Sequence, residues 1–145
     1  MNITLQEKLN AYSMTGDGTG FWDSYEKTVI WDLHTITISI AARNLTEEYI
    51  TFIDNILENA SGYDLYFKKF ITENREAIAE IRKECGQEDL TADIVAAHLE
   101  VSTITLGYEC NEDFCIWFIM KGFKIEHGIQ VYGNLNGTLT RIGFE

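Results

Sequence analysis

A chain of 145 residues with 46% hydrophobic and 23% charged side chains has the size and composition of one globular domain, residues 1–145, and not of a disordered protein. Its 23 acidic and 11 basic side chains leave a net charge of −12, which repels nucleic-acid phosphates and anionic lipid headgroups. We therefore expect no nucleic acid and no membrane as partners. A cationic protein would be attracted, although such a charge also serves solubility alone.

The sequence predicts a cytoplasmic protein with reduced cysteines. Residues 1–8 contain no basic patch followed by an apolar run, and no uncharged apolar run approaches about 18 residues, so we expect neither signal peptide nor membrane span. Three cysteines, Cys85, Cys110 and Cys115, are an odd number, which favours free thiols. Cys115 lies in an apolar run and is expected to be buried. A Cys110–Cys115 disulfide is conceivable only for an exported chain.

The first residues predict a short lead-in to the fold. Residues 1–14 are mildly helical in composition, with Leu5 and Leu9 one turn apart. The glycine-rich segment 15–20 follows, but it has no lysine, and Asp17 would oppose a phosphate. We therefore expect a flexible connection there and not a phosphate-binding loop.

Alternation with period two predicts a β-hairpin between residues 25 and 40. In the first strand Tyr25, Lys27, Val29 and Trp31 share one face; in the second, Ile36, Ile38 and Ile40 share one face, with Thr35, Thr37 and Ser39 exposed opposite. The turn falls near Asp32-Leu33. Because it has no glycine, we expect a loop longer or less regular than the tightest type.

Helical periodicity then predicts three helices. Thr46 is the expected N-cap of the first, which ends at Ser61-Gly62. The second begins near Asp64 and ends at Cys85-Gly86, and the third covers residues 91–99.

The last third predicts four strands, at 101–108, 114–120, 128–132 and 138–144. The second is apolar at every position, which is typical of a central strand covered on both faces. Short connections, one of them containing Asn136-Gly137, favour an antiparallel meander. The predicted fold class is therefore α+β: an antiparallel sheet, made of an early hairpin plus a C-terminal four-strand meander, with helices packed on one face.

The sequence contains no catalytic motif, and we expect no enzyme, cofactor or metal. His34, His98 and His127 fit no metal-ligand spacing, and no Gly-x-Ser-x-Gly motif occurs. A Cys110–His127 dyad would be weakened because acidic neighbours raise a thiol pKa. Chance pairing of two carboxylates for hydrolysis stays open but unsupported.

The pattern of elements resembles a family of small bacterial domains. The hairpin from Tyr25 to Ile40, the helical middle through Ile81 and the ending His127-Gly-Ile-Gln-Val-Tyr-Gly-Asn-Leu-Asn-Gly-Thr-Leu-Thr-Arg-Ile142 are similar to α+β domains found among polymorphic-toxin immunity proteins. The resemblance implies a cytosolic protein that binds and blocks a cognate toxin, and the net charge of −12 would suit a basic one. It implies no catalytic residues.

Two classes of function follow as hypotheses. The first is a protein-binding inhibitor that acts by electrostatic and steric occlusion, with an aromatic anchor among acidic residues. Its candidate contact residues are Trp22, Asp23, Glu26, Glu109, Glu112 and Asp113. The second is a small ligand-binding or enzymatic domain that uses an open sheet face. An accessory scaffold domain and a homodimer are further alternatives.

Overall fold

A computed structural model of the chain describes residues 3–16, 23–108 and 111–145. Within these residues, five α-helices and seven strands form one mixed α+β arrangement, which confirms the α+β class. The helices are α1 Ile3–Lys8, α2 Glu47–Glu58, α3 Ala60–Thr72, α4 Arg75–Cys85 and α5 Ala92–His98. The strands are β1 Ser13–Thr15, β2 Ser24–Trp31, β3 His34–Ala41, β4 Leu99–Leu106, β5 Phe114–Met120, β6 Ile129–Gly133 and β7 Leu139–Phe144.

The seven strands form one sheet whose spatial order follows the chain, from β1 to β7. Neighbouring strands pair antiparallel except β3 and β4, which are parallel with Thr37 opposite Thr103. The expectation of a wholly antiparallel sheet is therefore wrong, and β1 was not expected at all. The reason is the connection between β3 and β4, because a crossover containing four helices is long enough to return the chain in the same direction.

The hydrophobic core lies between the helices and one face of the sheet. Ile38 and Ile104 lie side by side in the register of β3 and β4, and Ile104 lies beside Ile116 of β5. All three are buried in one cluster with side chains of α2, α3, α4 and α5. Apolar side chains therefore alternate onto the helix side, as period-two strands require. The opposite side, called the open face below, carries Thr28, Thr37, Thr105, Trp117 and Tyr132.

The predicted helix from Asp64 to Cys85 is in fact interrupted. The Asn74 side chain accepts a hydrogen bond of 2.9 Å from the backbone N–H of Ala77, so it caps α4 and ends the preceding helix. The predicted stop at Ser61-Gly62 is also wrong, because both residues lie inside α3 and the break occurs at Asn59. Gly86, at φ 67°, does end α4 as the glycine pattern predicted.

The hairpin between β2 and β3 is tighter than expected. Trp31 pairs with His34, which leaves a two-residue turn in which Asp32 and Leu33 both have positive φ. This is the backbone of the tightest hairpin class, adopted here without glycine. The Asp32 carboxylate accepts a hydrogen bond of 2.7 Å from the Ser61 hydroxyl, which ties the turn to α3.

The row of Thr35, Thr37 and Ser39 is not uniformly exposed. Ser39 is buried, and its hydroxyl hydrogen-bonds the hydroxyl of Tyr108 at 2.6 Å. The expectation of an exposed Ser39 is therefore wrong. Tyr108 follows β4 and covers part of the open face.

No helix among the described residues is both long enough and apolar enough to cross a membrane.

Candidate functional site

Trp22 and Glu109, two of the six contact residues predicted from the sequence, lie outside the described residues. The other four lie at one end of the sheet. Asp23 immediately precedes β2, and its carbonyl accepts a hydrogen bond from the N–H of Ala42, which follows β3. Glu112 and Asp113 immediately precede β5, which begins opposite the end of β4. The structure therefore brings these residues to the same end of the sheet from distant parts of the chain.

Asp23 and Glu26 differ in how much of their side chains solvent can reach. Asp23 is only 2% exposed. Glu26 is half-buried on β2, between Ser13 of β1 and Ser39 of β3 on the open face. Asp23 is thus part of the packed structure, whereas Glu26 remains accessible to a partner along one edge.

Glu112 and Asp113 both make contacts within the chain. The Glu112 carboxylate accepts a hydrogen bond of 2.6 Å from Nε of Arg141, which raises the pKa of that guanidinium. The Asp113 carboxylate accepts one of 2.9 Å from the N–H of Leu135. These two acids therefore fasten the start of β5 to the β6–β7 hairpin.

The open face carries an aromatic pocket beside this junction. Its volume is about 170 Å³, and its lining residues include Tyr108, Asp113, Cys115, Trp117 and Tyr132. Burial raises the pKa of the Tyr132 hydroxyl to about 12, and the neighbouring Cys115 adds to this shift. The pocket is smaller than the cavities that usually hold drug-sized ligands, about 300–1,000 Å³.

Arg141 contacts Tyr132, one of the residues that line this pocket. Its guanidinium lies 3.6 Å from the centroid of the Tyr132 ring while it also bonds Glu112. Such a cation over an aromatic face is favourable, and here it orders the ring. Sequence reasoning did not identify Arg141 or Tyr132, because their proximity comes from strand pairing between β6 and β7 and not from spacing along the chain.

The helices carry most of the negative charge. Residues 47–98 contain 12 acidic and 5 basic side chains, a net charge of −7 within a chain of −12. Even if every basic side chain in this segment paired with one acid, seven carboxylates would have no cation from the same segment. The exposed acids of this acidic layer are Glu48, Asp54, Glu58, Glu73, Glu76, Glu88, Asp89 and Asp93.

A groove lies between this layer and the last strand. It has a volume of about 620 Å³ and is lined by Asn74, Glu76, Ala77 and Glu80 of the α4 side and by Thr140, Arg141, Ile142 and Phe144 of β7. A carboxylate row thus faces a strand edge. The spacing of Glu76 and Glu80 could have been found in the sequence as acids one helical turn apart, but the strand they face could not.

A separate ion pair holds the loop between β5 and β6 to α4. Nδ1 of His127 lies 2.7 Å from the Glu84 carboxylate, which also accepts a hydrogen bond of 3.1 Å from the N–H of Glu126. The hydrogen bond to Glu84 raises the pKa of His127, and the bond to His127 lowers the pKa of Glu84.

The ion pair of His127 and Glu84 should contribute most to stability between pH 4.5 and 6.5, the ordinary pKa values of the two groups. The raised His127 pKa contributes stability that is complete below its ordinary value of 6.5 and is lost as pH rises through the folded-state value. The lowered Glu84 pKa contributes stability above its ordinary value of 4.5 that is lost as pH falls. We expect Glu84→Gln to return the His127 pKa towards 6.5 in an NMR titration, whereas the exposed control Glu88→Gln leaves it raised. An unchanged His127 pKa in Glu84→Gln would contradict the assignment.

Among the residues that the structure describes, no three His, Cys, Asp or Glu side chains are grouped as metal ligands. Cys115, which is buried, and Cys85, which is half-buried, form no disulfide in this part of the chain, and burial raises the pKa of the Cys85 thiol.

The fold and surface define a mixed α+β protein with an acidic helical layer and an aromatic open face. No protein-family model, no curated protein and no solved structure matches the chain.

Proposed function

We propose that this chain is a cytoplasmic protein-binding domain that neutralises a cognate, basic toxin by covering its functional surface. The observation that carries the proposal is the net charge of −7 on residues 47–98, the segment that forms α2 to α5. Charge of one sign concentrated on one layer attracts a cationic partner from a distance and speeds association.

The acidic layer also offers apolar contacts. A depression of about 410 Å³ opens beside α2 and is lined by Glu47, Glu48, Phe52 and Leu135 among others. Interfaces derive most of their affinity from a few anchor residues seated in pockets, and this depression would receive such a residue from the partner, while surrounding charges set the rate and the choice of partner. The contact residues predicted from the sequence at the end of the sheet remain a second prediction for the same partner.

The test is co-expression with the toxic domain encoded beside this gene in a bacterial host. Growth should be restored by the chain, and the purified proteins should associate more slowly as salt concentration rises. Absence of a toxin gene from the neighbourhood, or a toxin that still arrests growth, would contradict the proposal.

A matched pair of variants tests the role of charge. Glu48→Gln, Asp54→Asn and Glu58→Gln together remove three exposed carboxylates from α2 and should slow association by about tenfold, with a weaker dependence on salt. The control Lys124→Gln removes a positive charge and should not slow association. Equal association rates for the triple variant and the parent chain would exclude this layer as the contact surface.

The aromatic pocket on the open face supports a second candidate, a domain that binds a small planar ligand. Trp117 lies in its wall, and its indole N–H donates to the Thr105 hydroxyl at 3.2 Å. A small aromatic ligand would change the Trp117 environment directly. Screening a fragment library by saturation-transfer NMR decides this candidate: hits lost on Thr105→Trp, which fills the pocket, support it, and a library without such hits contradicts it.

A further inference from the structure

The strand β7 forms one edge of the sheet, and no other described strand pairs with its outer side. It has six residues, whereas the opposite edge strand, β1, has three. Exposed edges are usually protected by proline, bulges or charge, because they can pair with another chain. A register shift between Leu139 and Arg141 disturbs the start of β7, but Ile142 to Phe144 pair regularly with β6. This chain contains no proline, and the charged residue within β7 is Arg141, whose charge is directed to Glu112.

The register identifies which backbone groups face outward. Gly128 and Glu145 exchange both backbone hydrogen bonds, at 2.7 and 3.2 Å. Bonded and non-bonded pairs alternate in an antiparallel ladder, so Gly143 also bonds β6 while Ile142 and Phe144 direct their N–H and C=O groups away from it. These two residues therefore offer two donors and two acceptors along the outer edge.

The side chains of Ile142 and Phe144 line the groove against α4. An extended peptide placed there would form backbone bonds to β7 on one side and contact α4 on the other. Ala77, at the bottom of the α4 wall, is buried and small, which leaves room for the side chains of such a peptide. Addition of a strand to a sheet edge beside a helix is a recurring mode of peptide recognition.

The acidic side chains of the groove indicate which kind of segment would bind there. Glu76 is exposed and Glu80 is half-buried, and both line the groove from α4. The basic residue that lines it, Arg141, is already bonded to Glu112 at 2.6 Å. A second copy of this chain would bring the same carboxylates towards each other, which is unfavourable, whereas Lys or Arg side chains of an extended segment would meet them.

We propose that an extended basic segment of the partner adds to β7 as an eighth strand, with its cationic side chains against Glu76 and Glu80. The inference rests on the proposed function for the identity of the partner. The groove itself can be tested without that partner.

The first test uses a synthetic peptide of alternating lysine and valine and an equal peptide of alternating glutamate and valine. Hydrogen exchange of the labelled chain, followed by NMR, should show slower exchange at the amides of Ile142 and Phe144 with the lysine peptide and no change with the glutamate peptide. Protection elsewhere, or none, overturns the proposal.

The second test measures how variants of this chain bind the toxic domain encoded beside its gene. Ile142→Pro removes one outward N–H and leaves the bonds from Gly143 to β6 in place. Met14→Pro on β1 is the matched control at the other edge. Ile142→Pro should weaken binding about tenfold, the equivalent of one hydrogen bond. The double variant Glu76→Gln with Glu80→Gln should weaken binding by a similar factor, the equivalent of one ion pair. The charge control is Glu88→Gln with Asp93→Asn, outside the groove, and thermal melting checks that each variant folds.

The outcomes separate the two proposals. A toxin that is neutralised equally well by Ile142→Pro and by the Glu76/Glu80 variant overturns the groove and leaves the proposed function intact. Protection by the lysine peptide without neutralisation of any toxin overturns the function and leaves the groove. A dimer of the free chain that dissociates on Ile142→Pro, measured by sedimentation, would identify a second copy as the occupant and overturn the basic segment.

Discussion

Replacing Phe67 with alanine is expected to lower the free energy of unfolding by about 3–5 kcal/mol. Phe67 is 1% exposed on the sheet side of α3. Its ring centroid lies 6.2 Å from that of Trp31 on β2 and 6.2 Å from that of Phe114 on β5. The side chain therefore spans the sheet across the β3–β4 pair, and its removal leaves a cavity among large rings that cannot close in from both sides.

Urea unfolding at neutral pH, followed by far-ultraviolet circular dichroism, measures this loss. Leu65→Ala is the matched control, because Leu65 lies on the same helix and is 67% exposed. We expect the control to change stability by no more than about 0.5 kcal/mol. Similar losses for the two variants would mean that α3 does not dock on the sheet through Phe67.

Replacing Asp64 with alanine is expected to cost about 2–3 kcal/mol, because a buried donor then loses its acceptor. The Asp64 carboxylate is nearly buried and accepts a hydrogen bond of 2.9 Å from the indole N–H of Trp31, which is completely buried. It also lies 2.7 Å from Nζ of Lys68. Asp64→Asn keeps an acceptor for the indole and removes the ion pair, so we expect it to cost less than the alanine variant.

A double-mutant cycle with Trp31→Phe isolates the hydrogen bond. The cost of Asp64→Ala should shrink in the Trp31→Phe background, since no indole N–H is then left unpaired. In the parent chain, the indole proton resonance of Trp31 should shift on Asp64→Ala. Strictly additive costs in the cycle would show that the bond contributes nothing.

Local patterns predicted most of the elements and could not predict their assembly. The strands from 101 to 144 and the hairpin after Tyr25 are visible because alternation depends only on neighbouring side chains. Parallel and antiparallel partners produce the same alternation, so Thr37 gives no sign that it lies beside Thr103. The interior position of β5 was predictable because Ile116 and its neighbours are apolar. The expectation that both faces of this strand are covered is wrong, since Ile119 on the open face is 44% exposed.

Two local backbone features were not predicted from the sequence, for a different reason. Asn74 interrupts an otherwise continuous helical pattern through a single side-chain hydrogen bond to Ala77, and asparagine is also tolerated inside helices. The turn at Asp32-Leu33 has positive φ at both residues although the sequence offers no glycine there. In each case the surrounding packing determines a backbone state that propensity does not favour.

The candidate site was the feature that the sequence predicted least well. Abundant acids made Glu112 and Asp113 reasonable contact residues, but the fold uses Glu112 to bind Arg141, 29 residues further along the chain. The groove depends on Glu80 and Ile142 lying on opposite walls, and only the packing of α4 beside β7 produces that proximity. The net charge could be predicted from composition, whereas the groove that the acidic side chains line could not.

The single parallel pair among the described strands also bears on synthesis at the ribosome. Strands β1 to β3 are neighbours in sequence and can associate early, but the next partner of β3 begins only at Leu99. Closing so long a loop is entropically slow. During translation, the edge of β3 that later pairs with β4 therefore stays unpaired until all the crossover helices have been made. In this interval the emerging chain most needs chaperone protection.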